Sequence, residues 1–170
     1  HYPLRRQRQM CIRDSYDSYQ KLEKIVHSKE IKLAGGGSVA NTTYALRKLG
    51  ASCAFIGQLG KDHTGKFYQK ELEDIGIEVL VRPIEGRSGA CVVLITPDAQ
   101  RTLNTYLGVS VELHKVDKKI PATKYFMVEG YLFDCPDVLK LLKKLIPTLR
   151  SRGSKIILSC SDPFCVDRHR

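Results

Sequence analysis

The chain has 170 residues, of which 42% are hydrophobic and 27% are charged, and its formal net charge is +10 at pH 7. This composition predicts a globular domain with a buried core and excludes an intrinsically disordered chain. The longest apolar run, residues 90–95, is far shorter than the roughly 20 residues that cross a bilayer, and no early segment has the pattern of a signal peptide. We therefore expect no membrane association and a cytoplasmic location.

Six cysteines stand singly along the chain, at positions 11, 53, 91, 135, 160 and 165. No two of them form a C-x-x-C pair, so the sequence indicates neither a disulfide framework nor a zinc ribbon. Reduced thiols in a cytoplasm fit this distribution.

Most of the positive charge lies in residues 1–15 and 136–155. In the second segment lysines and arginines interleave with leucines and isoleucines, which is typical of an amphipathic helix with a solvated basic face. Neither segment alternates basic with aromatic residues, as a groove for single-stranded nucleic acid does. We therefore expect no nucleic-acid partner.

The hydrophobic pattern predicts the elements in chain order. Residues 1–15 have no apolar periodicity and are predicted to be an unstructured tail, either native or foreign to the domain, so we exclude them from the prediction of the fold. Ser38 is placed to cap a helix that Gly50 ends. The pattern predicts helices over residues 17–29, 39–49, 67–75 and 136–152, and strands over residues 31–33, 52–57, 77–81, 89–96, 101–107, 124–128 and 155–159.

Strands that alternate with helices predict an α/β domain with a mainly parallel sheet. Residues 89–96 and 101–107 are an exception, because a four-residue turn that begins at Pro97 joins them into an antiparallel hairpin. This insert covers about residues 86–110. Pro147 is expected to kink the last long helix or split it in two.

The run from Gly35 to Asn41 admits several chemical readings. Gly35, Gly37 and Ala40 formally satisfy the dinucleotide pattern G-x-G-x-x-A, but no acidic residue for a ribose follows the next strand. The run from Gly60 to Lys66 satisfies the P-loop pattern G-x-x-x-x-G-K, but Phe67 stands where a Mg²⁺-binding hydroxyl belongs.

The third reading is recognition of a neutral, hydroxyl-rich ligand. Glycines let a ligand approach the backbone, and amides at the start of a helix act as donors. Ser38 and Asn41 lie one turn apart and can both donate and accept hydrogen bonds. A phosphate calls for a nearby cation, and none follows this run until Arg47. A glycine turn with a helix cap and no ligand stays open as an alternative.

Several of these motifs together resemble the ribokinase-like (PfkB) family of sugar and nucleoside kinases. The similarity runs through residues 36–41, 49–51, 55–65, 93–102, 129–131 and 161–168, and within the family it is strongest to the branch often labelled adenosine kinase. It implies a ribokinase-like α/β fold with flanking helices and a small β lid, as a partial domain over residues 16–170. It also implies ATP-dependent phosphoryl transfer to a hydroxyl of a sugar or nucleoside, with ATP and Mg²⁺.

The resemblance further assigns roles to individual residues. One group matches the motif that hydrogen-bonds the sugar hydroxyls: Gly36, Gly37, Ser38 and Asn41. Arg101 falls in the hairpin that matches the lid, although a surface residue beside a turn explains it equally. Tyr131 falls where some nucleoside-binding members place an aromatic ring against the base, and core packing is its alternative. We read Asp62 as a helix cap rather than a ligand contact.

The family's G-A-G-D-type loop, which carries the catalytic base, has no counterpart in residues 1–170. We therefore assign no catalytic residue, expect the base in a C-terminal half outside this chain, and expect these residues alone to be inactive. The expected partner is a small sugar or nucleoside, and a homodimer through the lid is allowed. A noncatalytic ligand-binding or interaction domain is the alternative function, because the sequence shows no evident nucleophile, base or metal cluster.

Overall fold

The structure is a computed structural model that describes residues 32–170, the backbone of residues 10–13, and residues 20, 21 and 24. The helix predicted over residues 17–29 therefore lies mostly outside the described residues. The strand predicted over 31–33 falls partly outside them, and residues 32–33 are not in a strand. The chain divides into two compact units, His1–Leu33 with Gly89–Gly108 and Ala34–Ser88 with Val109–Arg170, which we call unit 1 and unit 2.

Unit 1 contains a three-stranded sheet. Strands β4 (Ala90–Ile95) and β5 (Arg101–Tyr106) form the predicted antiparallel hairpin, with Val93 opposite Leu103. Strand β1 (Met10–Arg13) lies parallel to β5 on its other side, with Met10 opposite Thr102. The sequence predicts no structure over residues 1–15, and this difference has a physical reason. Four residues are too few to show a periodicity, and the backbone partners of β1 come from a strand far along the chain.

Unit 2 carries two pairs of parallel strands. Strand β2 (Ala54–Phe55) pairs with β3 (Glu78–Val79), and β6 (Tyr125–Glu129) pairs with β7 (Lys155–Ser159) in the register that places Glu129 opposite Ser159. The helices of the unit are α1 (Ser38–Lys48), α2 (His63–Asp74), α3 (Pro136–Ser151) and α4 (Pro163–His169), and short 3₁₀ helices span Gly108–Glu112 and Gly130–Asp134. Parallel pairs linked by helices confirm the predicted α/β class.

Two clusters of buried side chains form the core of unit 2. One joins β6 to α3 and consists of Val81, Leu113, Val128, Val138 and Leu142. The other joins α2 to β3 and consists of Leu72, Ile77 and Val79. Burying these side chains supplies about 1.5–3 kcal/mol each, and the first cluster anchors β6, which ends at Glu129.

The helix ends follow the predicted signals in most cases. Asp62 caps α2 by accepting a hydrogen bond from the N–H of Gly65 at 2.8 Å, as expected. Gly50 takes a positive φ of 89° directly after α1, which only glycine adopts without strain. Pro147 does not split α3, which runs unbroken from Pro136 to Ser151. Val138 and Leu149, 1% and 2% exposed, pack both halves of α3 against the core, and this burial offsets the hydrogen bond that a proline removes.

The hairpin leaves and rejoins unit 2 at adjacent points. The N–H of Val109 donates to the carbonyl of Arg87 at 2.9 Å, and the Ser88 hydroxyl accepts from the N–H of Gly60 at 2.9 Å while it donates to Asp62 at 2.7 Å. The residues of unit 2 that flank the hairpin in the chain, Ser88 and Val109, are thereby hydrogen-bonded within unit 2. None of the helices in the described part of the chain is long and apolar enough to cross a membrane.

The C-terminal part of unit 2 leaves apolar side chains uncovered. Ile157 and Leu158 are neighbours in β7 and therefore point to opposite faces, yet they are 44% and 51% exposed. Phe164 in α4 is 74% exposed. Exposed apolar side chains promote association where they form contiguous surface.

We expect the 170-residue chain to scatter light increasingly with concentration, and the Phe164→Ser variant to scatter less, because it removes an aromatic side chain that is 74% exposed. Dynamic light scattering over a concentration series measures both. Leu49→Ser is the matched control, since Leu49 is 85% exposed at the end of α1. A monomeric wild-type chain, or an equal decrease in both variants, contradicts the expectation.

Candidate functional site

The backbone before α1 forms an open turn. Gly37 is the N-cap of α1 with φ 102°, and no side chain caps the helix. The first amides of a helix have no partner within it, and here the first helical bond runs from the N–H of Asn41 to the carbonyl of Gly37 at 2.9 Å. A Cβ placed on Gly36 or Gly37 meets no atom within 4 Å. The turn therefore leaves room for a ligand to approach backbone donors.

Ser38 differs from its predicted role as the helix cap. It is the first residue of α1, and its hydroxyl makes a short hydrogen bond to Oε2 of Glu129. A hydrogen bond to an ionised acceptor is stronger than one to a neutral group, so the carboxylate of Glu129 takes the hydroxyl that the sequence assigns to the helix end. Gly37 occupies the N-cap position instead.

Glu129 is the centre of the polar cluster. It ends β6 and is only 8% exposed. Its Oε2 accepts from Ser38, and its Oε1 accepts from Ser159 at 2.8 Å and from Ser161 in a short hydrogen bond. Ser159 stands opposite Glu129 in the parallel pair of β6 and β7. Because parallel strands end at the same edge of a sheet, the cluster forms at that edge.

The hydrogen bonds keep Glu129 ionised. Burial by itself raises the pKa of Glu129, but hydrogen bonds from the hydroxyls of Ser161, Ser38 and Ser159 and from the backbone of Gly130 outweigh it, and the pKa lies below its ordinary value of 4.5. A carboxylate offers about four lone-pair sites, and the three serine hydroxyls occupy three of them. Glu129 therefore orients the hydroxyls around it, and the Ser38 oxygen keeps lone pairs that can accept from a ligand.

Tyr131 extends the cluster along the chain after β6. Its N–H donates to the hydroxyl of Ser161 at 3.0 Å, and its own hydroxyl donates to Oδ2 of Asp162 at 2.5 Å. Asp162 also caps α4 through the N–H of Cys165 at 2.7 Å, and the hydroxyl of Tyr131, followed by this backbone bond, lowers its pKa. Tyr131 is 39% exposed, so its ring is not enclosed in the core.

The structure places the predicted site residues in two groups. Unit 2 brings one group together at the start of α1 and links it to Tyr131 through Glu129 and Ser161; this group consists of Gly36, Gly37, Ser38 and Asn41. Arg101 lies in unit 1, where it is the exposed first residue of β5 opposite Ile95. Its role at the site stays a prediction.

The sequence patterns do not identify four polar residues of this cluster as part of the site. These are Glu129, Ser159, Ser161 and Asp162. A signal for them exists in the sequence. Each stands at or just after the end of a predicted parallel strand, 124–128 or 155–159, and the carboxyl ends of such strands form the usual binding edge of an α/β sheet.

The P-loop reading of residues 60–66 is not supported by their hydrogen bonds. Two of the backbone N–H groups in this run already have side-chain acceptors in the chain: Ser88 for Gly60, at 2.9 Å, and Asp62 for Gly65, at 2.8 Å. A Cβ on Gly65 would lie 2.1 Å from the carbonyl oxygen of Gly60. These glycines therefore serve close packing around Asp62 and Ser88.

Comparison with known proteins gives consistent matches. The sequence profile described as pfkB family carbohydrate kinase matches residues 9–169. Aminoimidazole riboside kinase of Salmonella typhimurium is 35% identical over 74 residues, which are 42% of this chain and 23% of that protein. Fructokinase-1 of Oryza sativa subsp. japonica is 30% identical over 82 residues, 47% of this chain and 25% of that protein.

Solved structures agree with the fold. Adenosine kinase from Sinorhizobium meliloti superposes with a TM-score of 0.79 at 25% identity, over 95% of this chain and 50% of that one. A probable sugar kinase from Rhizobium etli CFN 42 superposes with a TM-score of 0.77 at 26% identity, over 95% of this chain and 49% of that one. The chain thus has the ribokinase-like α/β fold and spans about half the length of these structures.

Glu129→Gln tests the charge at the centre of the cluster. Because the pKa of Glu129 is lowered, its ionised form stabilises the fold above its ordinary value of 4.5, and this stability is lost as the pH falls through the lower folded-state value. We expect the variant to lose about 2 kcal/mol of unfolding free energy at pH 7. Below pH 4.5, we expect its unfolding free energy to depend less on pH than that of the wild type.

Urea titrations of both proteins at neutral and acidic pH measure the difference. Glu112→Gln is the control, because Glu112 is exposed. If wild type and Glu129→Gln lose stability in parallel as the pH falls, the ionised state of Glu129 does not stabilise the fold.

Proposed function

Because the chain belongs to the pfkB family of carbohydrate kinases, we propose that it forms the substrate-binding half of a kinase for a sugar or nucleoside. In the whole protein, the γ-phosphoryl group of ATP passes to a hydroxyl of the molecule that this half holds. The observation that carries the proposal is the hydrogen bond by which the buried Glu129 fixes Ser38 at the open start of α1.

The donors and acceptors at this place suit a neutral ligand rich in hydroxyls. The amides at the start of α1 donate, the Ser38 oxygen accepts because its proton is committed to Glu129, and the amide of Asn41 does both. A sugar hydroxyl also donates and accepts, so it can satisfy each of these groups. An anion only accepts, and the ionised Glu129 behind Ser38 opposes it.

A nucleoside is the more specific form of this proposal. Tyr131 is 39% exposed and its hydroxyl is held by Asp162 at 2.5 Å, and an aromatic ring in a fixed orientation suits stacking against a base. Ser161 links Tyr131 to the same carboxylate that orients Ser38. Solved relatives of the same fold include adenosine kinases, which supports adenosine as the first nucleoside to test.

Family membership implies ATP and a divalent cation. In the part of the chain that the structure describes, no three histidine, cysteine or carboxylate side chains come together as metal ligands. That the metal site and the catalytic base lie in another part of the protein stays an expectation from the family resemblance. The chain's own contribution is to bind and orient the acceptor, and positioning accounts for much of phosphoryl-transfer catalysis.

Asn41→Ala tests the acceptor site. If the amide of Asn41 holds a ligand hydroxyl, its loss weakens binding by about 1–3 kcal/mol. Isothermal titration calorimetry with adenosine, ribose and fructose measures this change, and Lys48→Ala at the opposite end of α1 is the matched control. Equal affinities of Asn41→Ala and wild type remove Asn41 from the site.

A phosphorylation assay tests whether the substrate site and the catalytic base lie in different parts of the protein. We expect the whole protein to consume ATP in the presence of at least one member of the same panel, and residues 1–170 alone to show no turnover, since they supply no base. Chromatographic detection of the phosphorylated product measures both. Turnover by residues 1–170 alone contradicts the assignment of the base to another part of the protein, and binding without turnover by the whole protein favours a noncatalytic binding module.

A further inference from the structure

Two side chains of α2 hold the backbone just before α1. The hydroxyl of Tyr68 donates to the carbonyl of Gly36 at 2.9 Å, and Oε2 of Glu71 accepts from the N–H of Gly35 at 2.7 Å. Tyr68 and Glu71 are three residues apart and therefore share one face of α2. One helix face thus fixes two consecutive residues of the glycine turn.

The ring of Tyr68 connects this turn to the core. It packs against the buried cluster of α2 and β3, and its centroid lies 6.0 Å from that of Phe55. Burial, followed by the charge of Glu71, raises the pKa of Tyr68 to about 12. The hydroxyl therefore keeps its proton at neutral pH and stays a donor to Gly36.

The Tyr68 hydrogen bond also sets the direction of a backbone donor. The carbonyl of Gly36 and the N–H of Gly37 belong to one planar trans peptide, in which the two groups point in opposite directions. Because Tyr68 holds the carbonyl, the N–H of Gly37 is directed away from Tyr68. The space around Gly37 is open, since a Cβ there meets no atom within 4 Å.

We propose that Tyr68 and Glu71 are positioning residues for substrate binding, an inference that rests on the proposed function. Neither contacts the ligand. They order the peptide groups of residues 35–37 when the protein folds, so the turn loses less conformational entropy when a ligand binds. Without these two contacts, Ser38 stays fixed by Glu129 while the amide of Gly37 loses its direction.

The glycine at position 35 is part of the same arrangement. A Cβ on Gly35 would lie 2.5 Å from Oε2 of Glu71, so any side chain there displaces the carboxylate from the N–H that it binds. We therefore expect Gly35→Ala to weaken ligand binding as the loss of the Glu71 carboxylate does, although Gly35 is not one of the residues proposed to contact the ligand.

Hydrogen exchange tests the positioning without any ligand. Tyr68→Phe keeps the ring in the core and removes only the hydroxyl, and Glu71→Gln keeps the shape but replaces the ionised acceptor of the Gly35 N–H with a weaker neutral one. The controls are Tyr44→Phe and Glu73→Gln, because Tyr44 is 45% exposed on α1 and Glu73 is exposed on α2. We expect the amide of Gly35, which Glu71 binds, to exchange about tenfold faster in the first two variants than in the controls, because each variant loosens the turn, while the amides of β6 are unchanged. Equal exchange in all four variants overturns the proposal.

Ligand affinity provides the second readout. With whichever member of adenosine, ribose and fructose the unaltered protein binds, we expect the dissociation constant to rise about tenfold in Tyr68→Phe and in Glu71→Gln and to stay unchanged in the controls. In the whole protein the loss should fall mainly on KM, because the turn binds the ground state and the transition state alike. A structural defect alone lowers the unfolding free energy without this split.

The two experiments separate the possible failures. If the unaltered protein binds no member of the panel, the proposed function fails, and the exchange experiment still decides whether α2 orders the turn. If the unaltered protein binds and the Tyr68 and Glu71 variants bind equally well, the positioning role alone is wrong.

Discussion

The candidate site depends on one buried carboxylate and the hydroxyls that bind it. Glu129 joins the end of β6, the end of β7 and the start of α1, because Ser159, Ser161 and Ser38 each donate a hydrogen bond to it. A buried carboxylate without such donors would be costly, so these three segments stabilise one another. The hydrogen bond to Glu129 fixes the orientation of the Ser38 hydroxyl and leaves its oxygen able to accept a hydrogen bond from a ligand.

The fold supplies the two sides of this arrangement in different ways. Parallel pairing of β6 and β7 places Glu129 and Ser159 side by side at the carboxyl ends of the strands. Helix α2 contributes from the other side, where Tyr68 and Glu71 hold the glycine turn by its backbone. The open start of α1 is thus bordered by a side-chain network and a backbone clamp, both of which are anchored in the core of unit 2.

The sequence predicts the helices and strands of this structure better than the contacts between them. Periodicity locates α1, α2, α3 and the hairpin, and the motif around residues 36–41 identifies the turn. Long-range contacts are absent from such patterns: nothing local indicates that residues 10–13 pair with β5, or that Ser38 bonds Glu129 rather than the helix end. Likewise, Tyr68 and Glu71 read only as one face of an amphipathic helix, since their second role lies in contacts with residues more than thirty positions away.

The adjacent ends of the hairpin have a consequence for modularity. Arg87 and Val109 are hydrogen-bonded to each other, and Gly60 admits no side chain because a Cβ there would lie 2.2 Å from the carbonyl oxygen of Gly86. The twenty residues between Ser88 and Val109 belong to unit 1, and the residues of unit 2 on either side of them are hydrogen-bonded to each other. The hairpin can therefore change in length and sequence, or be exchanged for that of another protein, without a change in the backbone of unit 2.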